Sequence, residues 1–303
     1  MIKKFLSITA VVAGALVITL TSCKEKGNSG VILGGGGTLS DTTYTAPVET
    51  PQSRMVLIEE FTGVSCPPCP LGHEVLATIQ SNHPGRIAVV GIQVFGFVQA
   101  YPVDKPGFKT VHDNRTEAGT ELSQSIYGTL SATPTAGIDR VINQTSPLFG
   151  GTPYFDKSFW TTLVDTRLNV APTANLTITS NYNATSRQAI IKVHAAYTAD
   201  VAKRQKLTLA LVENDVVDVQ ENDTSFTADY HHEHVLRDIL TIPGGTEIMK
   251  DLPTKSAGRV YERTFIYTIK EGWVPENCKW VAYIGNSETG DKEIQQAATV
   301  NLK

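Results

Sequence analysis

Two cysteines three residues apart, in the segment Cys66-Pro67-Pro68-Cys69, are the residues of this sequence best equipped for chemistry. A thiolate can attack a disulfide sulfur, and a second thiol close by can then resolve the mixed disulfide. A first cysteine at a helix N-terminus faces unpaired N–H groups and the positive end of the helix dipole, which favours its thiolate. The two prolines between the sulfurs stiffen the turn and remove two donors. Exchange of this kind also needs the leading thiol, Cys66, to be uncovered. The same spacing is compatible with half a zinc site or with a structural disulfide at a turn. No second Cys-x-x-Cys follows, however, and the remaining downstream cysteine, Cys278, is far away.

The chain has four cysteines. Cys23 closes Leu20-Thr21-Ser22-Cys23 after a basic start at Lys3 and Lys4 and an apolar stretch over residues 6–20. Such a start reads as a secretory signal and not as a permanent span. Its last four residues resemble the bacterial lipobox, whose cysteine is lipidated after cleavage, and acyl chains anchor at about 0.8 kcal/mol per buried CH₂. An exported chain is also where a disulfide persists. Cys66 and Cys69 then pair by proximity, and Cys278, just before Trp280 in a strand-like run, reads as a buried thiol.

His231, His232 and His234 form the one dense histidine cluster. On a strand, His232 and His234 would share a face and could share a metal, with Asp229, Glu233 and Asp238 nearby. A packed, hydrogen-bonded role is the alternative. No metal and no other cofactor is expected.

The elements that must position these residues are readable from pattern. Residues 24–53 are rich in Gly, Ser, Thr and Pro and read as a flexible tether. Residues 55–61 form an apolar run holding Glu59 and Glu60, residues 71–79 have helical spacing, and residues 86–95 are β-branched and nearly all apolar. A Pro-containing insert follows, then a helix over 116–127, a strand over 135–142 and an N-capped helix over 156–168. From residue 171 onward short strands alternate with polar turns, the texture of an antiparallel sandwich. The predicted organisation is a signal segment (1–23), a tether (24–53), an α/β unit (54–170) and an all-β unit (171–303).

Composition limits the rest. Of 303 residues, 41% are hydrophobic and 18% charged, enough apolar material for real cores. The net charge of −4 shows no basic excess, so nucleic acid is not an expected partner.

Ala132-Thr133-Pro134-Thr135 lies just before a predicted strand. It resembles the place where thioredoxin-like proteins carry a cis-proline beside the dithiol, which would present the Thr133 backbone to an incoming peptide; an ordinary trans proline starting a strand is the alternative. Glu60, six residues before Cys66, resembles the buried acid of those proteins and could relay protons to the resolving sulfur, although Glu59 or Glu60 could equally sit exposed at a strand end. The segments Glu59-Glu60-Phe61-Thr62-Gly63, Cys66 and Cys69-Pro70, Tyr230-His231 with His234-Val235-Leu236-Arg237, and the closing stretch from Val281-Ala282-Tyr283 to Gln295-Gln296-Ala297 resemble the Omp28-related outer-membrane lipoproteins of Bacteroidetes. That resemblance implies a thioredoxin-like α/β domain followed by an immunoglobulin-like β-sandwich, lipid-anchored in the envelope, on the periplasmic face or the cell surface. The sequence departs from thioredoxin by having Val64-Ser65 where a Trp precedes the first cysteine. The expected function is thiol–disulfide exchange on exported proteins, with Cys66 as nucleophile, Cys69 as resolving thiol, Thr133 and Pro134 as substrate platform and Glu60 as proton relay. Its partners would be exported protein thiols or disulfides, a redox partner protein and, through Cys23, the membrane. The alternative is a binding or adhesive lipoprotein that uses the fold as a scaffold around a structural disulfide.

Overall fold

The computed structural model describes residues 41–146 and 148–303. The expected signal segment, Cys23 and residues 24–40 of the expected tether lie outside the described residues. Strand β1 (Thr42–Thr45) is followed by β2 (Val56–Phe61), helix α1 (Cys69–Asn82) and β3 (Ile87–Ile92). An insert with a 3₁₀ turn (Val98–Ala100) and a small hairpin, β4 (Asp104–Lys105) and β5 (Phe108–Lys109), comes next. Helix α2 (Glu117–Leu122) runs into a π-helical turn (Ser123–Tyr127), then β6 (Thr135–Ile138), β7 (Phe155–Asp156) and α3 (Trp160–Leu168). Strands complete the chain: β8 (Ala174–Asn183), β9 (Gln188–Tyr197), β10 (Gln205–Glu213), β11 (Val216–Glu221), β12 (Phe226–His232), β13 (Val235–Ile239), β14 (Thr246–Ile248), β15 (Arg259–Thr268), β16 (Cys278–Asn286) and β17 (Ile294–Asn301).

Strands β2 and β3 are buried at every residue, as continuous apolar runs covered on both faces must be, and they pair in parallel from Val56↔Ile87 to Phe61↔Ile92. Parallel neighbours need a crossover, and α1 supplies it. Its buried residues Cys69, Gly72, Leu76 and Ile79 recur at spacings of three and four, whereas Leu71, which the periodicity had placed inward, is exposed. One face of this sheet packs Val56, Ile58 and Val89 against Leu76, Ile79, Trp160 and Val164 of α1 and α3. The other packs Leu57, Phe61 and Val90 with Leu236, Val212 and Tyr283 from later in the chain.

The expected boundary at residues 170–171 lies between α3 and β8, yet the sheet does not stop there. Its order is β17-β16-β10-β13-β3-β2-β6-β7, with β14 also on β10, so strands from both sides of that boundary share one nine-stranded sheet. The joint is the parallel contact of β13 with β3, where Gly91 N–H donates to the His234 carbonyl at 2.8 Å. A Cβ at Gly91 would lie 3.1 Å from that oxygen, so glycine is what lets the two backbones meet. A separate charged group ties the chain across the same boundary just before β17: Asp139 accepts from Arg54 and Arg167 at 2.9 and 3.0 Å, and Arg167 reaches Glu293 at 2.6 Å.

A second sheet, β1-β15-β9-β8, packs over β10, β16 and β17 through Leu176, Ile191, Val193, Leu209, Phe265 and Trp280, giving a sheet-on-sheet core. Residues 41–53, read from composition as tether, are not free. β1 pairs with β15, Gln52 N–H donates to Asn175 Oδ1 at 2.7 Å, and Glu49 Oε2 accepts from Asn175 at 2.9 Å. Thr-Thr-Tyr-Thr has good strand propensity, and the open edge of β15 offers it a ladder. Among the described residues no helix is long and apolar enough to cross a membrane.

Candidate functional site

Cys66 and Cys69 are joined as a disulfide, and Cys69 is the first residue of α1. The loop entering the helix is tight: Cys66 N–H donates to the Gly63 carbonyl at 3.2 Å, and Cys69 N–H to the Cys66 carbonyl at 3.1 Å. The Thr133–Pro134 bond is cis and leads into β6, which pairs antiparallel with β2. The Thr133 hydroxyl lies 3.2 Å from Cys66 Sγ and 2.6 Å from Gln99 Oε1; its single proton serves one of them at a time. Helix α1 lies flush on Pro134 because Gly72 has no side chain: a Cβ there would be 2.9 Å from Pro134 Cβ and 3.3 Å from Glu60 Oε1. Cys66, Cys69, Thr133, Pro134 and Glu60 therefore surround the first turns of α1.

The sulfurs are not uncovered. Cys66 and Cys69 are both 0% exposed. From one side the insert closes over them, with Ser65 N–H donating to the Gln99 carbonyl at 3.0 Å and the Ser65 hydroxyl to the Tyr101 carbonyl at 2.7 Å. Gly63 permits that approach, since a Cβ there would meet the Gln99 carbonyl oxygen at 2.1 Å. From the other side β11 closes in. Gln220 Nε2 donates to the carbonyls of Gly63 and Cys66 at 3.2 and 3.1 Å, and Glu221 N–H to that of Val64 at 2.8 Å. The expectation of an open leading thiol is thus corrected, because segments far apart in sequence meet over it.

Glu60 is buried, and its Oε1 has no hydrogen-bond partner. Burial alone pushes its pKa up to about 8. The carboxyl borders a cavity of about 60 Å³, which His73, Gln80, His231, Glu233 and His234 also line. That volume is enough for a few waters. His73 Nε2 is 3.6 Å from Glu60 Oε1 and 2.9 Å from Thr62 Oγ1, while its Nδ1 is 2.6 Å from the Tyr230 hydroxyl. Burial, then the neighbouring His232 and His234, lower His73 to about 3, so it is a neutral imidazole at physiological pH. Glu59, the next residue on β2, faces a different set of groups, Arg140, Tyr127 and Tyr283.

The three clustered histidines part company. His231 is exposed and paired with Asp215. His232 is buried with Nε2 3.3 Å from the Val219 carbonyl, and burial lowers it to about 4. Strand β12 ends at His232, and His234, at φ 58°, turns its ring to Gln80 Oε1 at 3.0 Å. His232 and His234 therefore do not share a strand face. Among the described residues no group of three or more His, Cys, Asp or Glu side chains is placed to hold a metal ion. Cys278 is buried and unpaired, and burial pushes its thiol up to about 12.

Sequence reasoning missed His73, Gln80, Gln99 and Gln220, and met Tyr230 only as part of the family-like segment, with no role at the site. His73 and Gln80 had a signal, because they sit four and eleven residues after Cys69 on the helical face that carries Gly72 and Leu76. Gln99 and Gln220 had none.

The family model described as outer membrane protein Omp28 matches residues 122–302, which lie beyond Cys66 and Cys69. A search of curated proteins finds no match. Among solved structures, HBP35 of Porphyromonas gingivalis aligns with a TM-score of 0.61 at 15% identity, over 82% of this chain and 76% of that one. A domain of the outer membrane lipoprotein Omp28 from the same organism aligns with a TM-score of 0.30 at 15% identity, over 44% of this chain and 89% of that one. The first likeness concerns fold alone. The family match spans more than half of the sequence, and on that ground the chain belongs to the outer membrane protein Omp28 family, a family of the bacterial envelope.

Proposed function

We propose that this protein is a lipid-anchored thiol–disulfide exchange protein of the outer membrane, in which a thioredoxin-like dithiol segment is fused to an immunoglobulin-like β-sandwich. The observation that carries the reading is the placing of the Thr133 hydroxyl 3.2 Å from Cys66 Sγ, in a disulfide whose second cysteine opens α1. In the oxidising direction, a substrate thiolate attacks Cys66 Sγ, the Cys66–Cys69 bond breaks, and Cys69 leaves with the electron pair and takes up a proton. The substrate's second thiol, deprotonated, then attacks its own mixed-disulfide sulfur and releases Cys66. Two electrons and two protons pass from the substrate dithiol to the protein. Glu60, whose burial holds its proton up to about pH 8, is the nearby store from which Cys69 can be protonated. The substrates would be exported proteins, and a separate redox protein would regenerate the disulfide. Cys23 would carry the lipid.

The test is oxidation of a reduced, unfolded substrate protein together with the equilibrium of Cys66–Cys69 against glutathione. A potential above about −300 mV, with activity lost in Cys66→Ser, is the expected result. Equal activity of wild type and Cys66→Ser would sink the proposal. The complete covering of both sulfurs favours a second reading, a binding lipoprotein with a structural disulfide, for which the potential would lie below about −300 mV.

A further inference from the structure

Strand β11 presents two polar side chains two residues apart, and each binds a different segment. Asp218 accepts backbone N–H groups from the insert, Val111 at 3.0 Å and His112 at 2.7 Å. Gln220 donates to the dithiol loop, as described above. The strand therefore clasps the insert and the Cys66–Cys69 loop together. The ties of β11 and its partner β12 to the rest of the molecule run to loops and to one helix, among them Tyr230 of β12 to His73 of α1 at 2.6 Å, and not to the large sheets. β11 and β12 form a separate two-stranded sheet, hydrogen-bonded into neither larger sheet, and most of β12 is open to solvent. The apolar contact beneath the clasp is a small cluster of Val64, Val103 and Val219, with Phe108 and Phe226 packed on it. Segments so thinly supported open at a lower free energy than the main cores.

We infer that the β11–β12 hairpin is a strap that keeps the Cys66–Cys69 disulfide latent, with Gln220 and Asp218 as its latches, and that a thiol reaches the sulfurs only when the strap lifts. This inference rests on the exchange reading for its purpose but not for its geometry. A substrate protein would have to displace the strap and so would be admitted by its fit to the exposed loop, whereas the disulfide would be shielded from small thiols. With a dithiol reagent the chemistry is simple. One thiolate attacks a sulfur of the pair, the Cys66–Cys69 bond breaks, and the reagent's second thiol closes its own ring. The protein gains two electrons and two protons.

The experiment is reduction of the full chain by dithiothreitol at increasing concentration, read by alkylation and mass. Gln220→Ala and Asp218→Asn should each be reduced roughly tenfold faster than wild type, the effect of deleting about 1.4 kcal/mol of latch. Folded variants, judged by near-UV circular dichroism, that reduce at the wild-type rate would overturn the inference. Where a variant does not fold, the wild type decides: reduction accelerated by urea well below the unfolding transition shows a strap that opens locally, and a rate that stays flat until the whole chain unfolds counts against it. Loss of the exchange reading is separable, because it shows as Cys66→Ser activity equal to wild type whatever the reduction kinetics.

Discussion

Glu59 and Glu60 are neighbours on β2, both buried, and in opposite surroundings. Strand alternation sends them to different faces. Glu59 accepts from Arg140 at 2.7 Å on each oxygen, from Tyr127 at 2.5 Å and from Tyr283 at 2.9 Å. Burial would raise its pKa, but the guanidinium and the phenols outweigh burial and hold it below the ordinary carboxylate value. Glu60 has no such partner, and burial acts on it unopposed. Tyr283 comes from β16 and Arg140 follows β6, so the Glu59 face ties the α/β part to the β-rich part. The Glu60 face looks toward the dithiol helix. The difference teaches where to look for chemistry: a fully satisfied buried charge is a fastener, and an unsatisfied one beside a cavity is poised to exchange a proton.

The strongest way to break this contrast is Arg140→Ala. It leaves the Glu59 carboxylate buried without its cation, and a loss of about 3–5 kcal/mol in urea unfolding is expected. Replacing both partners, Arg140→Met with Glu59→Leu, should cost much less, because the expense lies in the stranded charge. A single-variant loss no greater than that of the double variant would show that Glu59 is not held by this pair.

Glu60→Gln should behave in the other sense, and increasingly so as pH rises above about 4.5. The unfolded carboxyl titrates near 4.5 and the folded one near 8. Between these values the folded state holds a proton that the unfolded state has lost, so wild-type stability falls as pH rises through this window and levels off above it. At roughly 1.4 kcal/mol per unit, Glu60→Gln should match wild type near pH 4 and exceed it by a few kcal/mol at pH 9. Buried His232 and half-buried His73 and His234, lowered to about 4, 3 and 4, work oppositely. The unfolded chain takes up their protons first, near 6.5, so stability falls as pH drops from there toward 4. Thermal melts of wild type and Glu60→Gln across this range separate the two effects. A constant offset at every pH would mean that Glu60 is not buried unpaired.

The sequence shows one side of this comparison better than the other. Cys66-Pro67-Pro68-Cys69 between an apolar strand and a helical run, and Thr133-Pro134 before another strand, are local patterns, and local patterns survive folding. Glu60 was legible through its offset from Cys66. The role of Glu59 was not, because it depends on Arg140 and on Tyr283, which is 224 residues away. The cover over the sulfurs was illegible for the same reason: Gln220 is 154 residues from Cys66, and one glutamine in a strand carries no pattern. The sharing of one sheet across residue 170 escaped because hydrophobic alternation reports which face of a strand is buried and not which strand lies beside it.

The smallest effect sharpens the contrast most, since it asks whether the two faces are chemically independent. In the reduced protein the Thr133 hydroxyl can donate to a Cys66 thiolate, and Thr133→Val removes that donor while nearly keeping the shape. A net hydrogen bond of about 0.5–1.5 kcal/mol corresponds to a rise of at most about one unit in the thiol pKa. The alkylation rate of reduced protein as a function of pH reads that rise directly. Tyr283→Phe is the matching deletion on the other face; it removes the phenol from Glu59 and should lower stability by a similar amount without moving the alkylation profile. If Tyr283→Phe moves the profile as far as Thr133→Val does, the faces of β2 are coupled through the strand. The proton held on Glu60 would then answer to the ion pair on Glu59, and the division between fastener and reagent would have to be given up.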